Sequence, residues 1–331
     1  MALARHLSAC AKLVFLHLWF QQIKKRYAGA ELYGLLFEKN KEILTLLGVT
    51  PPEKILTIRD TSFGAFVIDC LRVLNHIRKL KVDVVIDCEL FARVSSIISF
   101  LSGARIRVGF HPYTQEGLYR GSFINRPVLF NPYHHITGQF LNLVSTIDSV
   151  STPMVKQSPR HNHLKAPVVE FAPAEIEAMQ IKLQTDFMGI AGKKLILMYP
   201  GGGILPIRAW PRHYYSQVAG ELLKKGYAVG IVGLTADRDL ATAILSDCNH
   251  PACIDLTGYT RTVRELMLIF QFARLLITND GGPGQFAALT PVPTIIFYGP
   301  ETPDLYGPAD DKATLFYNPL PCSPCLTAYN H

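Results

Sequence analysis

A glycine-rich turn set between two apolar runs constrains this chain more than any other stretch. Residues 275–278, Leu-Leu-Ile-Thr, have the length and character of a buried strand and end in Asn279-Asp280. Gly281-Gly282-Pro283-Gly284 follow, and Gln285-Phe286-Ala287-Ala288-Leu289 then begin a helix. Residues 294–298 form a second apolar run, stopped by Gly299-Pro300. Strand, tight turn, helix and strand in that order require a parallel sheet with helices on its faces. The turn leaves backbone N–H groups uncovered at a predicted helix start, and such a start attracts anions. Asp280 and Tyr298 end their strands, so both are expected at the carboxyl edge of the sheet, where ligands bind in open α/β folds.

The same alternation runs through the rest of the chain. Strand-like runs at 31–37, 54–58, 82–88 and 105–110 are separated by helical stretches such as 66–80 and 91–101. A polar, Pro-containing segment follows, including Ser158-Pro159-Arg160-His161-Asn162-His163. After it the pattern restarts, with strands at 194–199 and 228–232 and helices at 214–225, 236–247 and 262–272. The expected organisation is therefore α/β, with a Rossmann-like domain over residues 1–150, a linker over 151–173 and a second such domain over 174–331.

Further motifs accompany the turn. Tyr199-Pro200-Gly201-Gly202-Gly203 precedes Arg208-Ala209-Trp210-Pro211; Gly226-Tyr227-Ala228-Val229 leads through Ile231-Val232-Gly233 to Asp237; and Asp255-Leu256-Thr257-Gly258 stands before the helix at Val263. With Asp280-Gly281-Gly282-Pro283-Gly284-Gln285-Phe286-Ala287, these four segments, in this order, resemble the ADP-heptose:lipopolysaccharide heptosyltransferases, glycosyltransferase family 9. Gly281, Gly284 and Gln285 stand where that family has a hydroxyl residue, Met and His. The resemblance implies a GT-B arrangement, two doubly wound parallel-sheet domains facing a cleft, with the nucleotide-sugar donor on the carboxyl domain and the acceptor on the amino domain. Family members begin with a strand and a Gly-Asp turn whose Asp acts as base. Here a helix is expected from Met1, which would put that first strand and base ahead of the given sequence.

Breaking a sugar–diphosphate bond places negative charge on the leaving group, which cationic and N–H donors must stabilise. Arg208 and the backbone N–H groups of Gly201, Gly202, Gly281, Gly282 and Gly284 are the candidates on the donor side, with Pro283, which has no N–H, and Gln285 beside them. Asp280 suits sugar hydroxyls or a helix N-cap, and Asp237 suits a ribose hydroxyl or the cap of its own helix. With the family base expected upstream, Asp60 and Glu89 are the substitutes. Arg93, Glu116 and Arg120 are acceptor candidates, arginine being suited to carboxylates and phosphates through paired hydrogen bonds. Glu89 and Arg93 also have the spacing of a surface ion pair, and His134-His135 that of helix-junction packing.

Composition narrows the partners. Residues 1–165 hold 21 Lys+Arg against 11 Asp+Glu, whereas residues 166–331 hold 12 against 15. A basic amino half fits an acidic lipid-linked saccharide or an anionic membrane surface, unless the charges only solvate helix faces. Nucleic acid is not expected, because the basic residues are scattered. No stretch reaches the ~18 uncharged apolar residues of a membrane span. The early apolar segment ends in Lys24, Lys25 and Arg26, directly before Ala28-Gly29-Ala30, where a secretory signal is uncharged. Seven cysteines without an export signal are expected to be reduced thiols; Cys322-Ser323-Pro324-Cys325 has metal-type spacing but lacks the second pair that zinc needs.

The resulting expectation is an inverting, metal-independent glycosyltransferase that moves heptose from ADP-heptose to a lipopolysaccharide inner-core acceptor. It would need no cofactor and would work in the cytoplasm, peripheral to the inner membrane. A sugar-nucleotide epimerase of similar plan and a catalytically silent nucleotide-sugar-binding remnant are the alternatives.

Overall fold

The computed structural model describes residues 2–5, 15–90, 93–111, 121–131, 133–149, 166–203, 205–308 and 310–325. The chain divides into two compact units, Met1–Leu164 and Lys165–His331.

The amino unit is built on β1 (Ala2–Arg5), β2 (Leu32–Phe37), β3 (Ile55–Ile58), β4 (Val84–Asp87), β5 (Ile106–Phe110) and β6 (Arg126–Val128). They lie in the order β3-β2-β1-β4-β5-β6, all parallel. Its helices are α1 (Leu16–Arg26), α2 (Lys41–Leu46), α3 (Phe63–Lys79), α4 (Arg93–Leu101) and α5 (Ile136–Ser145). β1 corrects the expectation of a missing first strand: Ala2–Arg5 sits at the centre of the sheet, with Ala4 paired to both Gly34 and Ile86. Ala, Leu and Arg are helix formers, so local propensity predicts a helix there, and pairing on two sides overrides it. The helix begins later and turns Trp19, Phe20 and Ile23 into the core, while the other face of the sheet packs Val73 and Ile77 of α3 and Ile98 of α4 over Leu35, Ile58 and Val85.

One buried charge braces this second layer. Asp69, the only acidic residue of α3, accepts hydrogen bonds from Arg59 Nε (2.8 Å), Nη2 (3.0 Å) and the Arg59 backbone N–H (3.0 Å), with Arg72 at 3.1 Å. Those contacts hold its carboxyl down at about 2, Arg59 contributing most and burial opposing.

The carboxyl unit contains β7 (Leu195–Tyr199), β8 (Ala228–Gly233), β9 (Cys253–Thr257), β10 (Leu275–Asn279), β11 (Thr294–Tyr298) and β12 (Ala313–Tyr317). Their order, β12-β11-β10-β7-β8-β9, is the amino unit's order repeated, again all parallel. Helices α6 (Pro173–Asp186), α7 (Arg212–Lys224), α8 (Arg238–Cys248), α9 (Val263–Phe272), α10 (Gly282–Ala287) and α11 (Pro303–Tyr306) connect or flank the strands. β7 is buried along its whole length, as a central parallel strand covered on both faces must be. The expected linker falls largely on residues 150–165, which lie outside the described residues; α6 starts at its far end. β6, β9 and β12 are strands that the apolar patterning did not single out. β6 contains Pro127 and is an edge strand, where a missing N–H is tolerated.

In both units the strand order reverses next to the first strand, between β1 and β4 and between β7 and β10. This topological switch point is where an open α/β sheet leaves a crevice at its carboxyl edge.

Candidate active site

At the carboxyl unit's switch point the loop after β7 meets the turn after β10, and Asn279 joins them. Its Nδ2 donates to the carbonyls of Pro200 and Gly201, both at 3.0 Å, and its Oδ1 accepts from the Trp210 N–H at 3.0 Å. The Tyr215 hydroxyl lies 3.0 Å from the same Oδ1. Asn279 is fully buried, so these contacts replace all the water its amide would bind. Burial pushes the Tyr215 hydroxyl well up, which keeps it a neutral donor. Trp210 is stacked between Phe297 (centroids 4.4 Å) and Tyr214 (5.0 Å), and this fixes the loop that carries Arg208.

Arg208 ends a 3-10 turn, Pro206–Arg208, and reaches back to the switch point. Its Nη2 donates to Glu301 Oε1 at 3.1 Å, and its Nε lies 3.7 Å from Asp280 Oδ2, too far for a hydrogen bond. That Nε–H is buried and has no hydrogen-bond acceptor among the described residues. Asp280 is nearly buried, and its backbone N–H donates to Phe297 O (2.9 Å), which aims the turn out of the β10–β11 pair. The Tyr298 hydroxyl, pushed up by burial and then by the Asp280 charge, donates to Tyr306 O at 3.2 Å.

The glycines of the first loop are there for space. A Cβ on Gly202 would lie 2.7 Å from Leu205 O and 2.8 Å from Pro206 Cα, both backbone atoms that cannot turn aside. A Cβ on Gly201 would lie 2.8 Å from Asp237 Oδ1. Asp237 therefore stands over the Pro200-Gly201 loop, while its Oδ2 accepts from the Leu234 N–H at 2.8 Å; the local turn and the position at the carboxyl edge coexist. Burial, followed by the Asp237 charge, lifts the neighbouring Tyr199 hydroxyl to about 12.

Within the second turn, Gly281 precedes α10, and Gly282 and Pro283 form its first positions. Gly284 packs inward, since a Cβ there would stand 3.0 Å from the Ile296 Cδ1 methyl. Gln285 is also turned inward, its Nε2 donating to Tyr306 O at 2.7 Å. α10 has only six residues, so its dipole is weak and the uncovered N–H groups of its first turn are the more substantial asset.

The structure thus brings together Gly201, Gly202, Arg208, Asp237, Asp280, Gly281, Gly282 and Pro283 at one sheet edge, and puts Gly284 and Gln285 behind it. Sequence reasoning missed Asn279 and Glu301. Each stood beside a recognised feature, Asn279 before Asp280 and Glu301 after Gly299-Pro300, but only the fold shows which way their side chains point.

In the amino unit, Glu89 follows β4 at the other switch point. It is buried, and its Oε1 lies 3.1 Å from the Leu90 N–H. Asp87, two residues earlier, accepts from the Glu89 N–H (3.0 Å) and from Ser95 Oγ (2.8 Å). Asp60 lies after β3, at the far edge of the sheet, and pairs with Lys39. Three strand spacings of ~4.8 Å separate the ends of β3 and β4, so Asp60 and Glu89 do not share a site. Arg93 opens α4 and is exposed. Glu116 and Arg120 lie outside the described residues. His135 caps α5, its Nδ1 accepting from the Thr137 N–H at 3.2 Å, and packs edge-on against Phe15. The Cys322 and Cys325 thiols are free, exposed and 3.3 Å apart.

Two doubly wound sheets of one strand order, one of them carrying a glycine-lined, arginine-bearing switch point, define an α/β protein of the GT-B class. Residues 70–331 match glycosyltransferase family 9 (heptosyltransferase), and the chain belongs to that family. It is 31% identical over 132 residues to lipopolysaccharide heptosyltransferase 2 of Salmonella typhimurium, a match covering 39% of this chain and 38% of that protein. Its fold is similar to that of the E. coli ADP-heptose lps heptosyltransferase II, with a TM-score of 0.74 and 17% identity over 99% of this chain and 92% of that one. It is also similar to the structure of the E. coli heptosyltransferase WaaC with ADP, with a TM-score of 0.68 and 14% identity over 95% and 92% of the two chains. No helix among the described residues is long and apolar enough to cross a membrane.

Proposed function

We propose that this chain is an inverting, metal-independent glycosyltransferase that moves heptose from ADP-heptose to an acidic, lipid-linked acceptor of the lipopolysaccharide inner core. It would act on the cytoplasmic side, peripheral to the inner membrane. The observation that carries this reading is the Asn279 clamp, which holds the Pro200–Gly202 loop against the Asp280–Gly282 turn and leaves the buried Arg208 Nε–H as a donor at the same edge. A relative's structure with ADP and a curated relative that is a lipopolysaccharide heptosyltransferase support the choice of donor and acceptor.

In the proposed reaction an acceptor hydroxyl attacks the anomeric carbon and loses its proton to a carboxylate, as the bond from that carbon to the diphosphate oxygen breaks and ADP leaves with the electron pair. Arg208 and the N–H groups of the turn stabilise the charge that accumulates on the diphosphate. Glu89 is the base we assign, because it follows β4 at the amino unit's switch point, whereas Asp60 is at the edge of the sheet and is paired to Lys39.

Calorimetry with ADP tests the donor half. Wild-type chain should bind ADP, and Arg208→Ala should weaken it by about 1–3 kcal/mol, the worth of a charge-assisted contact. Equal affinity in the two proteins would remove Arg208 from the site, and no binding of ADP to the wild type would overturn the reading.

A further inference from the structure

The outward side of α3 carries Phe63, Ile68 and Leu71, which are 84%, 62% and 64% exposed, with Val67 beside them. Phe63, Val67 and Leu71 are four apart and so share one helix face. The helix does not need them for its core, which Val73 and Ile77 supply, with Phe66, Cys70 and Leu74 packed against it. α4 packs next to α3, joined to it by Arg78 Nε donating to Leu101 O at 2.8 Å, and it adds exposed Ile97 and Phe100. Seven-tenths or more of a large aromatic ring in water is ordinary for one residue, but two adjacent helices with an apolar outer face mark an interaction surface.

Charge selects what covers it. Asp69 is the only acidic residue of α3 and is buried against Arg59 and Arg72, and α4 has none. The exposed charges of the two helices, Arg72, Arg78, Lys79 and Arg93, are therefore all positive. A second copy docking face to face would bring these cations together. An anionic bilayer accepts both features, since aromatic and aliphatic side chains enter the headgroup boundary while Lys and Arg meet the phosphates.

We propose that the α3–α4 face of the amino unit docks on an anionic phospholipid surface. This rests on the reading of a lipid-linked acceptor for its purpose and names the surface that would meet the membrane. Its test is co-sedimentation of the whole chain with vesicles of phosphatidylcholine, with and without phosphatidylglycerol. Wild-type protein should bind the anionic vesicles and release them at high salt. Phe63→Ser with Leu71→Ser should lower that affinity by about tenfold or more, from the two buried side chains lost. Lys79→Glu should lower it by about fivefold or more on anionic vesicles and leave neutral ones unaffected. Both variants alter exposed side chains, and unchanged thermal melts and ADP affinity confirm that they fold. Vesicle binding that the double Ser variant retains in full, or no vesicle binding by a wild-type chain that binds ADP, overturns the proposal. A wild-type dimer in sedimentation equilibrium that the Ser variant dissolves would give the face to a second copy and overturn it as well. Vesicle binding without ADP binding would instead sink the functional reading and leave the docking face standing.

Discussion

In the carboxyl unit the switch point is bridged by side chains: Asn279 reaches across from β10 to the carbonyls that follow β7, and Arg208 closes over Glu301. In the amino unit the corresponding edge after β4 holds two carboxylates, Asp87 and Glu89, with Ser95 beside them. The strand order is the same in both, so topology sets where a ligand crevice forms and leaves its chemistry to the few residues at the strand ends. One edge is cross-linked and glycine-lined, as suits a rigid cradle for an anion. The other is acidic, as suits proton transfer.

The contrast is easiest to break at Glu89. If the amino unit's edge supplies the base, Glu89→Gln lowers sugar transfer by about 10²–10⁴-fold while ADP affinity stays unchanged, and Asp60→Asn leaves both as they were. Transfer assays alongside ADP calorimetry would move the base elsewhere if Glu89→Gln kept full activity. At the carboxyl unit's edge, Asn279→Ala strands two carbonyls and an N–H in a buried place, while the Tyr215 hydroxyl keeps Tyr199 O as an acceptor at 3.2 Å, so urea unfolding should register a loss of about 3 kcal/mol together with weaker ADP binding. A variant as stable as the wild type would mean that the loops are held by other contacts.

Smaller still is the effect of Gly202→Ala. Its added methyl meets only backbone, and overpacking of this kind costs about 1–3 kcal/mol. ADP affinity should fall with stability, because the loop must shift to make room; a crystal structure of the variant with the loop unmoved would contradict this. The smallest expected effect is the pH dependence of the amino unit. Asp69 is held at about 2, below the ~3.9 of a free aspartate, so its contribution is complete above pH ~4 and is lost as pH falls toward ~2. Urea midpoints measured down that range should decline more steeply in the wild type than in Asp69→Asn, and parallel curves would deny Asp69 the role.

The motifs of the carboxyl unit were legible because each is a local device. An apolar run followed by Gly281-Gly282-Pro283 needs no partner to be recognised as a strand entering a tight turn, and Pro200-Gly201-Gly202 with Arg208 is read in the same way. The amino unit was less legible: Ala2–Arg5 has helix-forming residues and becomes a strand only because β2 and β4 pair with it on both sides.

By itself the sequence determined the α/β class, the parallel sheets, the glycine turns and the arginine at the carboxyl unit's switch point, since periodicity and backbone permissiveness act over a few residues. The tertiary structure alone decided that Asn279 and Glu301 belong to that edge, that Gln285 faces Tyr306 instead of outward, and that Asp60 and Glu89 are three strands apart. The physical reason is that hydrogen-bond direction and strand order depend on contacts between residues far apart in the chain: Asn279 is 79 positions from Pro200, and Arg208 is 93 from Glu301. No local pattern encodes such a pairing.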